Sequence, residues 1–218
     1  MAEEKKNSLV WSLQKIKEAF TEKPVSRAEH ASNLIDMSVA LSVAVKKVFF
    51  EKSRTMFSED PVIQKKGIVA FSGRLRIDAM EKFNQTTIMS VVHYFLNQED
   101  LDKNKPVGLL IIYLERSYVP EMLRLLQYPY IEFDDDRDVT DGSGAIINLI
   151  AGHFKNELKA LGYEDLEMSH FQSFINKVPM GVVYPKRQTD RYELSFVIDG
   201  EKRLVVEMVM APLVKKSA

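Results

Sequence analysis

Asp141, Ala145, Asn148, Gly152 and Lys155 follow one another at spacings of three and four residues, so on an α-helix they share one face, with Gly144 beside them. The stripe is small and polar, with a carboxylate near its start, a carboxamide at its centre and an amine further on. A carboxamide donates and accepts hydrogen bonds but is no strong base, so the chemistry open to Asn148 is the orientation of another molecule. The small neighbours would let a partner backbone come close. The same residues also fit a plainer arrangement, in which they admit another helix of the same chain and Asn148 is a solvated or capping amide.

Other chemistries find little support. The 218 residues include no Cys, which excludes thiol catalysis, Cys-ligated zinc and disulfides, and fits a reducing compartment. His30, His93, His153 and His170 show no metal-ligand spacing, and Asp134-Asp135-Asp136 lacks the alternating ligands and the Gly of a calcium loop. Gly142-Ser143-Gly144 is not followed by the Lys of a phosphate-binding loop. With 30 Lys plus Arg against 31 Asp plus Glu the formal charge is −1, and the basic residues are scattered, so nucleic acid is not an expected partner. No signal peptide is evident, and the longest apolar run is far too short to span a bilayer, so no membrane association is expected and the cytoplasm is the expected location.

The helix that would carry the stripe is read over residues 141–161. Ile146, Leu149, Ile150, Phe154, Leu158 and Leu161 form its core-facing side, and Gly162 is its expected left-handed terminator. An earlier long helix starts at a capping box, Ser26 with Glu29, and runs through Leu34, Met37, Leu41, Val45, Val48 and Phe49. Strands are expected over 67–77, with a Gly kink, and over 84–96, where so apolar a run also fits a helix, 107–114 and 178–184; a short helix is expected over 118–127. Residues 192–198 and 203–210 flank Asp199-Gly200, a strong hairpin signal. Long helix, strands and short helix are followed by a second long helix and strands, which suggests a two-fold repeat of architecture and an α+β fold, an antiparallel sheet covered by long helices. Residues 1–26, with an amphipathic pattern through Leu9, Trp11, Leu13, Ile16 and Phe20 before Pro24, read as an appended arm, and 27–218 as the main domain.

With these elements placed, the chain resembles the CheC and CheX family of chemotaxis phosphatases, and the CheX branch most. Three blocks carry the likeness: Gly67-Ile-Val-Ala-Phe-Ser-Gly73, Val107-Gly-Leu-Leu-Ile-Ile-Tyr-Leu114 with the helix after it, and Asp138-Val-Thr-Asp141-Gly-Ser-Gly144-Ala145-Ile-Ile-Asn148-Leu-Ile-Ala-Gly152 followed by Glu157-Leu158. The terminal hairpin fits as well. The likeness runs from about residue 27 to 213 and implies an insertion at about 78–106. In the family the third block holds an acidic residue, then a Glu, then an Asn, the last two being the working pair. This chain has Asp141 and Asn148, with Ala145 at the Glu position.

The resemblance implies a partner, a CheY-like receiver domain that brings its own magnesium ion, and no cofactor or metal on this chain. It implies hydrolysis of the receiver's aspartyl phosphate, with Asn148 positioning water and Asp141 as second candidate catalytic residue. Gly144, Ala145, Gly152 and Lys155 would meet the partner. Loss of the Glu anchor makes the expected activity weak or absent, so whether the protein is an enzyme stays open. The alternative is a non-catalytic interaction or scaffold domain of the same fold in bacterial signalling. The acids Glu132, Asp134, Asp135, Asp136 and Asp138 are either substitutes for that Glu or caps of the helix N-terminus. A homodimer is also expected, because a terminal hairpin at 192–210 can leave an edge strand that pairs across a two-fold axis.

Overall fold

The computed structural model describes residues 25–54, 57, 59–68, 70–71, 74–75, 82–83, 85–129, 135–175, 181–186, 188 and 190–216. The arm pattern over 8–20 lies outside them, as do Glu132 and Asp134.

Helix α1 (Arg27–Ser53) starts where the capping box places it, with the Ser26 hydroxyl accepting the N–H of Glu29 at 3.2 Å. It ends at Arg54, whose left-handed φ of 59° turns its N–H back to the Phe50 carbonyl. All six residues expected to face the core are buried. Strand β1 (Val62–Gly67) follows, then the two-residue strands β2 (Ala70–Phe71) and β3 (Arg74–Leu75), which among the described residues pair only with each other. The described residues of 67–77 therefore do not form the single kinked strand expected there. The sheet strand lies earlier, at an edge, and mostly exposed, so it carries no alternation of buried and exposed residues that would announce it.

Strand β4 (Thr87–Phe95) is buried at every position, helix α2 (Gln98–Asp102) leads out of it, and β5 (Gly108–Glu115) is likewise buried throughout. The stretch 78–106, where the resemblance implies an insertion, thus contains a central strand of the sheet. A 3₁₀ turn (Arg116–Tyr118) leads into α3 (Val119–Leu125), and α4 (Asp136–Ala160) follows the linker. The last elements are β6 (Glu167–Met168), β7 (Gln172–Ile175), β8 (Asp190–Ile198) and β9 (Glu201–Met210). The two-residue turn between β8 and β9 has φ of 52° at Asp199 and 80° at Gly200, the positive pair a tight primed hairpin turn requires. Of the strand expected over 178–184, the described residues 181–184 are not strand. Val182 and Tyr184 pack as irregular chain on the sheet, so the run is apolar because it is covered, without joining a ladder.

Among the described residues seven strands form one antiparallel sheet in the order β1-β8-β9-β5-β4-β6, with β7 also paired to β4. The two halves interlock: β1 of the first pairs with β8 of the second, β7 of the second pairs with β4 of the first, and β5 meets β9 between them. This ordering also corrects the expected dimer edge. Hairpin β8–β9 lies inside the sheet, flanked by β1 and β5, and leaves no open edge.

Alternation along the central strands separates two cores. Ile88, Val92, Tyr94, Leu110, Ile112, Leu114, Val206 and Met208 face the helices, where α1 and α4 pack. Met89, Val91, Leu109, Ile111, Tyr113, Val205 and Val209 face the other way, beneath Ile68, Phe83, Val182 and Tyr184. On that second face Glu193 and Glu207 stand directly opposite each other on β8 and β9. Lys82 bridges them, bonded to Glu193 and 2.7 Å from Glu207, with Lys66 2.7 Å from Glu193 and the Tyr113 hydroxyl donating to Glu207 at 2.9 Å. Burial alone would raise the pKa of Glu193, but its bonds to Lys66 and Lys82 outweigh that and hold it below the usual glutamate value.

Candidate functional site

Helix α4 is anchored at both ends by its own sequence. Asp135 caps it, its side chain accepting the N–H of Arg137 at 2.7 Å, and Asp136 in the first turn is held by the Arg116 guanidinium at 2.8 and 3.0 Å. Capping and helix-end pairing therefore account for these two acids. At the other end Gly162, at φ 91°, donates to the Lys159 carbonyl and Tyr163 to that of Leu158, the paired bonds of a Schellman motif. The helix begins five residues before the expected 141, after the cap that Asp135 supplies.

Two buried polar contacts fix the rotation of α4 on the sheet. Ser90 of β4 bonds to Ser143 at 2.8 Å and to Ser173 of β7 at 2.7 Å, a hydroxyl ladder crossing from helix to sheet. Tyr94 donates its hydroxyl to the Ala151 carbonyl at 2.9 Å, and burial pushes its pKa well above the ordinary tyrosine value. Gly142, Ser143 and Gly144 are buried on this side, where bulk would lift the helix off β4 and β7.

That geometry divides the expected site residues. Asp141 is exposed, and Ala145, Asn148 and Gly152 are half-buried along one open stripe. Among the described residues nothing lies within 4 Å of the position a Cβ would take on Gly152. Neither Asn148 nor Asp141 takes a hydrogen bond or ion pair from its side chain to another described residue. Gly144 is separated from the stripe: a Cβ on it would fall 2.1 Å from the Phe171 ring, so its smallness serves packing within the chain and not a partner. Lys155 is half-buried and paired with Asp165 at 3.0 Å. Gly144 thus packs within the chain, against Phe171 and not against another helix, while Asp141, Ala145, Asn148 and Gly152 remain together on the open face.

Phe171 and the serine ladder were missed in the sequence. The ladder had a signal, since Ser90 interrupts an apolar strand and Ser143 sits between glycines, and buried hydroxyls need partners. Among the described residues no group of three or more His, Cys, Asp and Glu could hold a metal ion, and no helix is long and apolar enough to cross a membrane.

No protein-family model matches the sequence, and comparison with curated proteins finds no relative. Solved structures do match. A CheC-like superfamily protein from Shewanella sp. PV-4 is 17% identical over 80% of this chain and 96% of its own, with a TM-score of 0.53. The chemotaxis protein CheX from Vibrio vulnificus is 13% identical over 79% and 97%, with a TM-score of 0.52. FliY from Thermotoga maritima is 12% identical over 85% and 91%, with a TM-score of 0.54. Two covering helices, a seven-stranded antiparallel sheet with interlocked halves and these likenesses together place the chain in the CheC and CheX type of chemotaxis-protein fold.

Proposed function

We propose that the chain binds a phosphorylated CheY-type receiver through the open stripe of α4 and that Asn148 orients water toward the receiver's aspartyl phosphate, with turnover weak or lost. The observation that carries this reading is the Asn148 carboxamide, unpartnered among the described residues and set between Ala145 and Gly152 on a surface another backbone can approach. In such a reaction the receiver holds the magnesium ion and a charge-stabilising lysine, so its partner has only to place water in line with phosphorus. The amide nitrogen donates to a phosphoryl oxygen while the amide oxygen accepts from water. The water oxygen bonds to phosphorus as the bond to the aspartyl oxygen breaks, and carboxylate and inorganic phosphate are released, the water proton leaving with the phosphate or to solvent. Ala145 supplies no anchor for the receiver's lysine, and a charged interface partner left unpaired costs about 2–5 kcal/mol. Asp141, one turn earlier and exposed, is the remaining carboxylate on the stripe and the weaker substitute.

The test incubates phosphorylated receivers from the same organism with the protein and with Asn148→Ala and Ala145→Glu variants, following complex formation and loss of phosphate. Binding to at least one receiver is expected, with Ala145→Glu raising turnover about 10-fold or more, the equivalent of ~1.4 kcal/mol or more of transition-state stabilisation. Absence of both binding and accelerated dephosphorylation for every receiver overturns the reading. A second reading, a non-catalytic interaction or scaffold domain in bacterial signalling, is favoured by Ala145 itself. It predicts that Asn148→Ala leaves partner binding unchanged and that Ala145→Glu brings no turnover.

A further inference from the structure

The second face of the sheet changes character across its width. Over β4, β5 and β9 it is apolar and covered, by Phe83, Val182 and Tyr184 among others. Toward the β1 edge the residues on this face are polar: Gln64 and Lys66 of β1 stand opposite Glu193 and Arg191 of β8, and Glu193 stands opposite Glu207 of β9. An open recess of about 360 Å³ lies over this polar part.

The floor of the recess is a network of buried charge. Lys82 bonds to both Glu193 and Glu207, the Arg191 guanidinium lies 3.5 Å from Glu207, and the Tyr113 hydroxyl donates to Glu207. All four charged residues are at most 8% exposed. Well-packed apolar residues in place of such a network are often neutral or stabilising, so stability alone does not account for it. Titratable groups held buried beneath a concavity are the arrangement that ligand sites use.

The rim adds charge that the floor does not balance. Lys66 reaches Glu193 at 2.7 Å, whereas exposed Lys202 makes no ion pair among the described residues, its ammonium standing 5.5 Å from the centre of the Phe83 ring. Four cations, Lys66, Lys82, Arg191 and Lys202, thus meet two carboxylates, Glu193 and Glu207, an excess of two positive charges. The Gln64 amide and the Ser195 hydroxyl also line the recess, and neither bonds to another described side chain. We propose that this recess binds the phosphate group of a small phosphorylated molecule. A phosphate dianion cancels the excess and offers only acceptor oxygens, which suits the separate donors of Lys66, Lys202, Ser195 and Gln64. A planar carboxylate is matched best by a guanidinium fork, and the guanidinium of Arg191 is turned to Glu207. At about 360 Å³ the recess is of ligand-pocket size, with room for the molecule that carries the phosphate.

The inference is independent of the receiver-binding reading, since the recess lies on the opposite side of the sheet from α4. Its test titrates the full chain with inorganic phosphate at constant ionic strength and about pH 7.5, where phosphate is largely a dianion. Amide NMR shifts should saturate with a Kd on the order of 1 mM and be confined to β1, β8 and the start of β9. Lys202→Ala, which leaves the buried network intact, should weaken binding ~5-fold or more. Lys215→Ala, beside Asp36 of α1, should leave it unchanged. Malonate, of equal charge, should bind at least ~5-fold more weakly than phosphate. Shifts that do not saturate or that spread over the surface lysines, an affinity unaltered by Lys202→Ala, or malonate binding as tight as phosphate each overturn the proposal.

Discussion

Replacing Gly144 by Ala sets two effects of known size against each other. In the interior of α4 the change gains about 1 kcal/mol of helix propensity. Its Cβ, however, falls 2.1, 2.2 and 2.4 Å from three carbons of the Phe171 ring. Carbon contacts settle near ~3.5–4.0 Å, so ring and helix must separate by roughly 1.5 Å. Phe171 packs against the helix-side core, and overfilling such a contact costs ~1–3 kcal/mol. Clash therefore outweighs propensity, and Gly144→Ala should be neutral to destabilising by up to ~2 kcal/mol, a fall of some 4–8 °C in Tm at the upper end for a chain of this size. Removing the ring reverses the sign: in a Phe171→Ala background the same substitution should stabilise by about 1 kcal/mol. Urea unfolding of the four proteins gives the coupling energy directly, expected at ~1–3 kcal/mol. If Gly144→Ala has the same sign and size with and without Phe171, the assignment of this glycine to internal packing is wrong.

Other perturbations read the buried polar groups. Lys82→Met should cost ~1–3 kcal/mol, because Glu193 and Glu207 would lose their shared cation while Lys66 still pairs with Glu193 and Arg191 still lies 3.5 Å from Glu207, and the deficit should shrink as the medium is acidified and one carboxylate takes up a proton. Ser90→Ala should cost ~1–3 kcal/mol in chemical denaturation by stranding the hydroxyls of Ser143 and Ser173. His93 is buried, which holds its pKa below the ordinary 6.5, and its Nε2 accepts the N–H of Val183 at 3.2 Å, a role for the neutral ring. Its contribution is therefore complete above pH 6.5 and is lost as pH falls toward the depressed folded value, so Tm between pH 7.5 and 5 should decline less steeply in His93→Gln.

Sequence pattern served best where burial is one-sided or a turn demands particular residues. The core stripes of α1 and α4, the Asp199-Gly200 turn and the Gly162 terminator were all legible because spacing and backbone sterics dictate them. Strand β4 could be read only from β-branched and aromatic content, since burial on both faces removes alternation. Strand β1 was hidden for the opposite reason, being largely exposed. The run at 178–184 misled because coverage of a sheet face also requires apolar residues, whatever their backbone does. On α4, Asp141, Ala145, Asn148 and Gly152 share the open face that helix spacing implies. The contacts of Gly144 with Phe171 and of Lys155 with Asp165 were not legible, because those partners lie beyond the helix, where periodicity carries no information.

The exchange of β1 and β7 between halves has a consequence for how the chain comes into being. Each half lends strand to the other: β1 completes the hairpin β8–β9, and β6 and β7 complete the hairpin β4–β5. A nascent chain that has emerged only as far as α3 has β5 without its neighbour β9 and β1 with nothing to join. Formation of the sheet must therefore await the last hairpin, which makes folding a late and non-local event during synthesis. By the same logic, a chain severed in the 129–135 linker yields two fragments that are each incomplete alone but mutually templating, so that structure should return only when both are mixed.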